Sequence, residues 1–475
     1  MAHLTDAWYF LRLQQGHFED VNLALHEKYG PIVRYGPNRY SINDAEASKT
    51  IYAHGSQFPK SDWYSSFEPN ESFFNVFSDR SIARHAYTRR FYAHAFSMTS
   101  LVNYEPYLDE AGEIFSERLR EFAKAGAPFD AGYWFQCFAF DAIAYVTYGK
   151  RLGFLDRGDD IGKCIQSLDK SLIYSSLVGI YPSIHRHILP LIARLLPFIN
   201  TNPIMYVLNF TQQRIAEERA APKSMAEPKG DKEAAGRGET FLSKYLAKHS
   251  EDPEAFTNHH ILMGCSMNMF AGSDTTGISL SATMYYLLKN PRCMEKLRGE
   301  IDDFTKRGEL SENPTFKQTQ DMPYLQAVVK EALRMHPAVG LPLERVVPEG
   351  GATIAGRFFP EGTVVGVNSW VQHQNKSLYG EDASQFRPER WLIDDEERLS
   401  VMNRNWMPFG LGSRTCLGKN VSILEMTKLI PRIIRDFDFG LDGNTAAPKG
   451  SWTTRNAWFV KPQNFYVRVQ PRNAA

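Results

Sequence analysis

Cysteine is scarce in this chain of 475 residues, and its scarcity excludes two common architectures. Only five cysteines occur, their spacing is irregular, and no two of them form a CxxC pair. A zinc site or a disulfide framework would require paired or regularly spaced cysteines, so neither is indicated. The pattern is typical of a protein in a reducing compartment.

An excess of charge is missing too, because 54 basic residues balance 54 acidic ones. A nucleic-acid-binding protein usually carries a basic excess, so the balance argues against that class. No run of 18 or more apolar residues occurs, so the sequence offers no membrane-spanning helix. The first residues show no signal-peptide pattern. The hydrophobic fraction of 43% is ample for one large core, and we expect a single domain over residues 1–475.

One cysteine stands in an unusual setting, the glycine-rich segment 409–418 (Phe-Gly-Leu-Gly-Ser-Arg-Thr-Cys-Leu-Gly). Its glycines allow the backbone to lie flat against a macrocycle, where a Cβ would collide. Apolar residues after Gly418 repeat at helical spacing, so Cys416 precedes a helix N-terminus, which stabilises a thiolate. This setting predicts that Cys416 is a thiolate ligand for haem iron, the centre of such a macrocycle. A thiolate ligand favours cleavage of the O–O bond of dioxygen. A buried structural cysteine would explain neither the glycines nor Arg414.

The segment resembles the haem-binding loop of cytochrome P-450 monooxygenases. This resemblance implies a mainly α fold with a small β portion, in which haem b lies between a long distal helix and the proximal cysteine loop. Cys416 would be the ligand to the haem iron, and Phe409, Gly410, Gly418 and Ala271 would also contact the cofactor.

Periodicity and turn residues predict the elements along the chain. We expect a hairpin over 29–42, helices over about 254–289 and 324–335, a second hairpin of 352–355 with 363–367, a strand over 464–469, and an exposed loop over 220–239.

The predicted long helix contains the segment 271–276 (Ala-Gly-Ser-Asp-Thr-Thr). Thr275 stands four residues after Ala271, so its hydroxyl can compete for that carbonyl and open a groove for dioxygen and water. Asp274 and Thr275 match the acid–alcohol pair of the P-450 family. The resemblance implies that Asp274 brings in protons and that Thr275 holds the reduced oxygen during protonation.

A charged triad is expected from Glu331 and Arg334, which match the family's E-x-x-R, and from Arg390 in the downstream motif 386–391. Residues three apart share a helix face, and a planar guanidinium suits a carboxylate. In the family this triad is structural and holds the segment before the cysteine loop. An ordinary surface pair is the commoner meaning of E-x-x-R alone.

Haem propionates require cationic or hydrogen-bonding partners. By resemblance, Arg414, Arg345 and Arg89 stand at positions that contact them. His85 stands where the family usually has tryptophan, and we expect it to serve the same purpose.

A large, apolar and aromatic substrate pocket is expected from the positions that line it in the family. These positions hold Phe73, Phe74, Phe77, Met267, Phe270, Val339, Leu341, Trp458 and Phe459. About half of such residues would be plain core.

Electrons are expected to arrive on the cysteine side of the molecule. Lys428, Arg432 and Arg435 recur at helical spacing and, with Lys419 and Arg90, would form a basic face for an acidic flavoprotein. The alternative is that these cations complement a helix C-terminus. No flavin or nicotinamide domain is evident, so the resemblance implies a separate NADPH–cytochrome P-450 reductase.

A finer resemblance connects segments 26–34, 58–62 and 89–97 to filamentous-fungal microsomal P-450s, and among them to the pisatin demethylase-like group. It implies an enzyme that acts on plant phenolics or fungal secondary metabolites at the cytosolic face of the endoplasmic reticulum membrane. Relatives carry an N-terminal anchor, and this chain begins just past that point. The sequence does not decide whether an anchor was removed or never existed.

The leading hypothesis is a monooxygenase that hydroxylates or O-demethylates a lipophilic, aromatic molecule. Oxidative phenol coupling, and non-oxidative isomerisation or dehydration on the same fold, remain alternatives. A haem-binding sensor or carrier without turnover is the hypothesis from another class.

Overall fold

The long helix α12 (Asn258–Lys289) contacts many of the other elements of the fold. The computed structural model describes residues 4–68, 74–185, 187, 203–220, 239–443 and 452–472. Helices predominate and the strands are short, so the predicted mainly α class is confirmed. Phe73 and nearly all of the predicted 220–239 loop lie outside the described residues.

The helices follow one another along the chain with few long interruptions. In the N-terminal half they are α1 (Ala7–Gln15), α2 (Phe18–Tyr29), α3 (Ala45–Tyr52), α4 (Ile82–Ala93), α5 (Met98–Leu101), α6 (Glu105–Ala125), α7 (Ala131–Tyr148), α8 (Phe154–Arg157), α9 (Cys164–Val178) and α10 (Pro203–Ala220). In the C-terminal half they are α11 (Phe241–Glu251), α12 (Asn258–Lys289), α13 (Pro291–Lys306), α14 (Phe316–Gln320), α15 (Pro323–Met335), α16 (Ser369–His373), α17 (Lys376–Tyr379), α18 (Glu396–Asn405) and α19 (Lys419–Asp436).

Two glycines explain how α12 packs against α7. A Cβ built on Gly272 would lie 2.9 Å from Ile143 Cγ1, and one on Gly277 would lie 2.9 Å from the Cα of Gln136. Glycine inside a helix costs about 1 kcal/mol relative to alanine, and here it permits close contact between two buried helices. The helix stops at Asn290 because Pro291 begins the next one.

The strands are β1 (Ile32–Gly36), β2 (Arg39–Ile42), β3 (Phe129–Asp130), β4 (Arg345–Val346), β5 (Ala352–Ile354), β6 (Arg357–Phe359), β7 (Val364–Gly366), β8 (Phe437–Leu441), β9 (Thr453–Ala457), β10 (Phe459–Gln463) and β11 (Tyr466–Pro471). The largest sheet has the order β1-β2-β7-β4, with β2 parallel to β7 and β4 antiparallel to β7. The predicted N-terminal hairpin is present as β1 and β2.

The predicted second hairpin is wrong in its pairing. Strand β5 pairs with β6 across a turn at Ala355, whose φ is +49°, and not with 363–367. Strand β7 instead joins β2 and β4, with Arg345 opposite Val365. The apolar residues 364–367 pack through pairing with strands that are distant in the sequence. Local turn signals do not reveal such partners.

Candidate active site

The cysteine loop is shaped by contacts with α3 and with its own backbone. Cys416 N donates to the Phe409 carbonyl at 2.8 Å and Thr415 N donates to the Gly412 carbonyl at 3.0 Å, which closes the loop on itself. Gly412 has φ of +61°, and a Cβ there would overlap the carbonyl oxygen of Tyr52. The contact with α3 therefore requires a glycine at this position, so contact with a macrocycle is not needed to explain Gly412.

The thiol of Cys416 faces the cavity described below and lies just before α19. Burial raises the pKa of Cys416, although the Gly418 and Lys419 N–H groups and the Arg89 charge lower it. The N–H groups at the helix terminus therefore lower this pKa as expected, but in the protein without a cation at sulfur burial outweighs them. A thiol in this position becomes a stable thiolate when a metal ion supplies the missing positive charge.

The cavity contains about 1720 Å³ of unfilled space, including parts open to solvent. The cysteine loop lines it with Phe409, Gly410, Arg414, Cys416 and Gly418, and α12 contributes Ala271 and Thr275. None of the described residues that line it is Asp or Glu.

Four cations line this cavity, and one of them was not foreseen. Arg345, Arg414 and Arg89 are there as expected, and Lys60 is the fourth. Burial, then the charges of Arg345 and Arg414, hold the pKa of Lys60 well below its usual range. Four basic side chains without a facing carboxylate form a site for an anion, whose charge would keep Lys60 protonated, and the two carboxylates of a haem fit it.

Local contacts hold three of these cations in place. Lys60 and Arg345 form an isolated β-bridge, and the ammonium of Lys60 lies 4.0 Å from the Tyr64 ring centroid. Arg345 Nη1 donates to the Glu344 carbonyl at 2.8 Å, and Arg414 donates to the carbonyl of Asp79. No sequence motif marks Lys60, because the bridge to Arg345 joins segments 285 positions apart.

His85 is not among the residues that line the cavity, although the charges of Arg414, Arg89, Lys60 and Arg345 all act on it. It is buried, and burial together with the charges of Arg414 and Arg89 lowers its pKa to about 3. A neutral imidazole near these cations can still donate a hydrogen bond, so a propionate contact by His85 stays a prediction.

Lys60→Met should weaken retention of an anionic cofactor, because it removes one cation and keeps most of the apolar side chain. A hydrogen bond to a charged group contributes about 1.5–3 kcal/mol, so the affinity should fall roughly 10- to 100-fold. The measurement is the rate of haem transfer to an excess of apomyoglobin. Lys49→Met removes a lysine whose side chain is 75% exposed and should leave the rate unchanged; equal rates for both variants would contradict the role of Lys60.

Thr275 and Asp274 face different surroundings although they are neighbours in α12. The Thr275 hydroxyl donates to the Ala271 carbonyl at 2.7 Å, the bond expected from their spacing, and both residues line the cavity. The Asp274 side chain is turned away from that cavity, toward Gln136 of α7 and Lys461 of β10. Burial raises its pKa to about 6 against the charge of Lys461.

The apolar residues expected in the substrate pocket divide into two groups. Those that line the cavity are Phe77, Met267, Val339, Trp458 and Phe459.

Phe74, Phe270 and Leu341 lie outside the lining, and the expectation for them is corrected. Phe74 packs on His259, with 5.0 Å between ring centroids. Phe270 packs against the largest cluster of buried apolar residues, and Leu341 lies in a smaller cluster with Tyr9 and Phe18. Its position in a helix or strand sets the direction of a side chain. Whether that direction faces the cavity depends on the neighbouring elements.

The charged triad is buried and complete. Glu331 Oε1 accepts from Arg334 Nη2 and from Arg390 Nε, both at 2.8 Å, and its Oε2 accepts from Trp391 Nε1 at 2.9 Å. Burial opposes ionisation of Glu331, but the two guanidinium groups outweigh it and lower the pKa. The remaining guanidinium N–H groups donate to backbone carbonyls, among them that of His373 at 2.7 Å from Arg334.

His373 connects this triad to the cysteine loop. Its Nδ1 donates to the Arg334 carbonyl at 2.9 Å, and its Nε2 accepts from Met407 N at 3.0 Å. Burial and the Arg334 charge lower the pKa of His373 to about 3, so the ring is neutral and can do both. Met407 lies two residues before Phe409, so the triad acts on the position of the loop through one histidine that sequence reasoning missed.

The expected basic face is wrong for two of its members. Lys428 and Arg432 are buried, at 5% and 4% exposure. Lys428 Nζ lies 2.9 Å from Asp109 Oδ1 and 3.2 Å from Glu105 Oε2, and Arg432 pairs with Glu113. These charges join α19 to α6 and are not available to a partner.

The other three candidate cations are more accessible. Arg435 is half-buried and pairs with Asp436 at 2.7 Å. Lys419 is half-buried over the ring of Trp406, and Arg90 is exposed beside Tyr87.

Glu425 is a buried acid that sequence reasoning passed over. It is 1% exposed in α19, and neither carboxylate oxygen has a hydrogen-bond partner among the described residues. Burial raises its pKa to about 8, and the nearby hydroxyl of Thr276 opposes this rise only in part. The signal in the sequence is a glutamate at an apolar position of a helix, between Leu424 and Met426.

Glu425→Gln should stabilise the protein more at alkaline pH than at acidic pH. The folded protein retains a proton on Glu425 that the unfolded chain releases, so stability falls as the pH rises from about 4.5 to about 8. Glutamine removes that loss. Thermal unfolding midpoints of both proteins across this window provide the measurement, and an equal difference at both ends would contradict the burial of a titrating carboxyl.

Comparison with known proteins extends the match to nearly the whole chain. The sequence pattern of the family described as Cytochrome P450 matches residues 4–468. A pisatin demethylase of Fusarium vanettenii is 39% identical over 473 residues, which cover 99% of this chain and 87% of that protein. A cytochrome P450 monooxygenase of Aspergillus terreus is 37% identical over 432 residues, covering 88% and 85%. One of Emericella nidulans is 36% identical over 469 residues, covering 96% and 90%.

Proposed function

Since this chain belongs to the cytochrome P450 family of monooxygenases, we propose that it inserts one atom of dioxygen into a lipophilic, aromatic small molecule by hydroxylation or O-demethylation. The observation that carries the proposal is the free thiol of Cys416 in a cavity lined by four cations, by Thr275 and by large apolar side chains. We propose one catalytic domain over the whole chain.

The described residues fit a haem b, with Cys416 as the iron ligand and with Lys60, Arg89, Arg345 and Arg414 as propionate partners. When bound, the haem supplies the redox chemistry that activates dioxygen. Phe409, Gly410, Gly418 and Ala271 would contact it.

The protein's own contribution is to hold these groups and to manage protons and water. The loop hydrogen bonds fix Cys416 Sγ, and the Thr275 hydroxyl, which shares the cavity with Cys416, can hold and pass a proton there. Met267, Val339 and Trp458 keep the cavity apolar, which excludes water around the reacting carbon.

An aromatic substrate is supported by the rings that border the cavity. Trp458 lies 4.9 Å from Trp63 and 5.9 Å from Phe77 between ring centroids, so one wall of the cavity belongs to an aromatic cluster. Such rings favour offset or edge contacts with another ring. A relative is named for demethylating pisatin, which supports O-demethylation as a reaction of this site.

We propose that electrons come from NADPH through a separate reductase, as the family implies. With Lys428 and Arg432 buried in ion pairs, the contact with the reductase would use Arg90 and Lys419.

We also propose that the protein acts at the cytosolic face of the endoplasmic reticulum membrane. Within the described residues, no helix has the length and apolarity to span a bilayer, but Leu4 and Leu11 are 87% and 56% exposed and could rest on a membrane surface.

The test is turnover of a set of aryl methyl ethers and phenols by the haem-loaded protein with an NADPH–cytochrome P450 reductase. Formaldehyde or a hydroxylated product in step with NADPH consumption is the expected result. Dimers formed without oxygen incorporation would favour oxidative coupling, and conversion without NADPH would favour an isomerase or dehydratase. Tight spectral binding of ligands with no conversion would indicate a carrier.

Thr275→Ala should uncouple this reaction, because it removes the hydroxyl that can pass a proton in the cavity. We expect product formation to fall about 100-fold while NADPH is still consumed and hydrogen peroxide accumulates. Thr275→Ser keeps the hydroxyl and should restore coupling. Equal peroxide yields for the two variants would contradict the role of the hydroxyl.

A further inference from the structure

The hairpin of β9 and β10 ends at the cavity of Cys416 in an unusual turn. Ala457 pairs with Phe459, so Trp458 alone forms the turn, and its φ is +80°. A bulky residue seldom adopts a φ in this region, and such a conformation persists only where its surroundings determine it. Trp458 is buried and lines the cavity together with Phe459. The turn is therefore a part of the cavity wall that other residues must hold in place.

The backbone at Gly340 holds this turn. Gly340 N donates to the Trp458 carbonyl at 2.9 Å. Val339, which also lines the cavity, forms an isolated β-bridge with Phe459. A Cβ on Gly340 would lie 2.3 Å from Asn456 Nδ2, so the close packing here requires a glycine. A shift of Gly340 would consequently displace both Trp458 and Val339 at the wall.

Two buried asparagines from distant segments donate to the same carbonyl of Gly340. Asn456 Nδ2 of β9 and Asn368 Nδ2, just before α16, each lie 3.1 Å from that oxygen. A carbonyl oxygen has two lone pairs, so both are used and the position of the oxygen is fixed from two directions.

Helix α2 holds both asparagines, although none of its residues lines the cavity. Glu19 Oε2 accepts from Asn456 Nδ2 at 2.5 Å, and Asn22 Oδ1 accepts from Asn368 Nδ2 at 3.1 Å. Glu19 and Asn22 are both buried, and their spacing of three residues places them on one face of the helix. Each asparagine is thus oriented by one side chain of α2.

We propose that Glu19 and Asn22 are positioning residues for substrate selectivity. Through the two asparagines they fix the Gly340 carbonyl, and with it the wall formed by Val339 and Trp458. The inference rests on the proposed function, in which this cavity takes an aromatic substrate. A ring that packs against Trp458 depends on α2, whereas a ligand too small to reach this wall does not.

The surroundings of Glu19 agree with a positioning hydrogen bond. Burial raises the pKa of Glu19 to about 7, the bond from Asn456 lowers it, and the charge of Asp20 raises it. Among the described residues, no basic side chain forms an ion pair with Glu19. A neutral amide oxygen of the same length should therefore replace the carboxyl oxygen as the acceptor.

The test measures how tightly the haem-loaded protein binds iron ligands of increasing size, by optical titration with imidazole, 1-phenylimidazole and bifonazole. Glu19→Met removes the acceptor and keeps most of the side-chain length. It should weaken binding of the two aryl ligands about 10-fold and leave imidazole almost unaffected, since one methylene more or less in an apolar pocket already changes affinity by about 10- to 200-fold. Asn22→Leu removes the other acceptor and should act in the same direction.

Two variants of the same helix provide the controls. Glu19→Gln keeps an acceptor oxygen for Asn456 and should bind all three ligands as the unsubstituted protein does. Glu27→Met changes an exposed glutamate of α2 and should leave the three dissociation constants unchanged.

A double-substitution cycle with Trp458→Phe separates positioning from a general loss of stability. If Glu19 acts through the wall, Glu19→Met should cost less aryl-ligand affinity in the Trp458→Phe protein than it does alone, because residues that act together are not additive. Additive losses would overturn the route through Trp458.

A loss of affinity that grows with ligand size, and that Glu19→Gln does not share, supports the inference. Equal losses for imidazole and the aryl ligands, or no loss in haem-loaded Glu19→Met, overturn it. Should Glu19→Met fail to accumulate with haem, Glu19→Asp withdraws the acceptor by one methylene and is judged by the same criteria. The titrations need no NADPH, so a lack of product from aryl methyl ethers would count against the proposed function alone.

Discussion

Cys416→Ala is expected to abolish monooxygenase turnover and to remove the spectral signature of thiolate ligation. Loss of an outer partner of a metal ligand costs roughly 10- to 100-fold, so loss of the ligand should cost more than that. The cavity and its four cations remain, so some haem should still be retained. The measurement is the reduced carbon-monoxide difference spectrum, in which the strongly red-shifted Soret band should disappear.

A matched control uses another cysteine of the same chain. Cys293 is 1% exposed in α13 and lies outside the cavity lining, so Cys293→Ala should keep both the spectrum and the turnover. A thiolate spectrum that survives in Cys416→Ala would contradict the assignment of the iron ligand, and with it the account of the whole cavity.

Glu331→Gln is expected to prevent accumulation of stable, haem-loaded protein. The change leaves Arg334 and Arg390 buried, at 0% and 1% exposure, without their shared counter-charge. Removing one partner of a buried ion pair costs about 3–5 kcal/mol, which is a large part of the stability of a typical protein. The loss should reach the cysteine loop through His373, whose Nδ1 is bonded to the Arg334 carbonyl.

The measurements are the yield of haem-loaded protein and its thermal unfolding midpoint. Glu381→Gln is the control, since its side chain is 88% exposed and pairs with the exposed Lys376. We expect it to behave as the unsubstituted protein, because exposed pairs contribute little. An unfolding midpoint for Glu331→Gln equal to that of the control would show that the triad does not hold the fold.

Predictions from short spacings agree best with the structure. The bond from Thr275 to the Ala271 carbonyl and the pairing of Glu331 with Arg334 follow from helical geometry, which needs only a few adjacent residues. The predicted helix over 324–335 agrees with Pro323–Met335 for the same reason.

Predictions that depended on distant neighbours succeeded less often. The strand 363–367 was assigned to the wrong partner, because parallel pairing with β2 joins segments more than 300 residues apart. Lys428 and Arg432 were taken as a surface, although α6 covers them with acidic side chains. Lys60 was missed, since it reaches the cavity wall through a β-bridge between distant segments.

The sequence by itself determined the family and the mainly α fold, and it marked Cys416 and the Asp274–Thr275 pair as candidates, because each of these signals lies in residues close together in the chain. Only the tertiary structure decided which cations reach the cavity, which aromatic residues line it, and that Asp274 and Thr275 face different surroundings. The physical reason is that burial, pKa and ion pairing depend on elements that approach from other parts of the chain, and local periodicity carries no information about them.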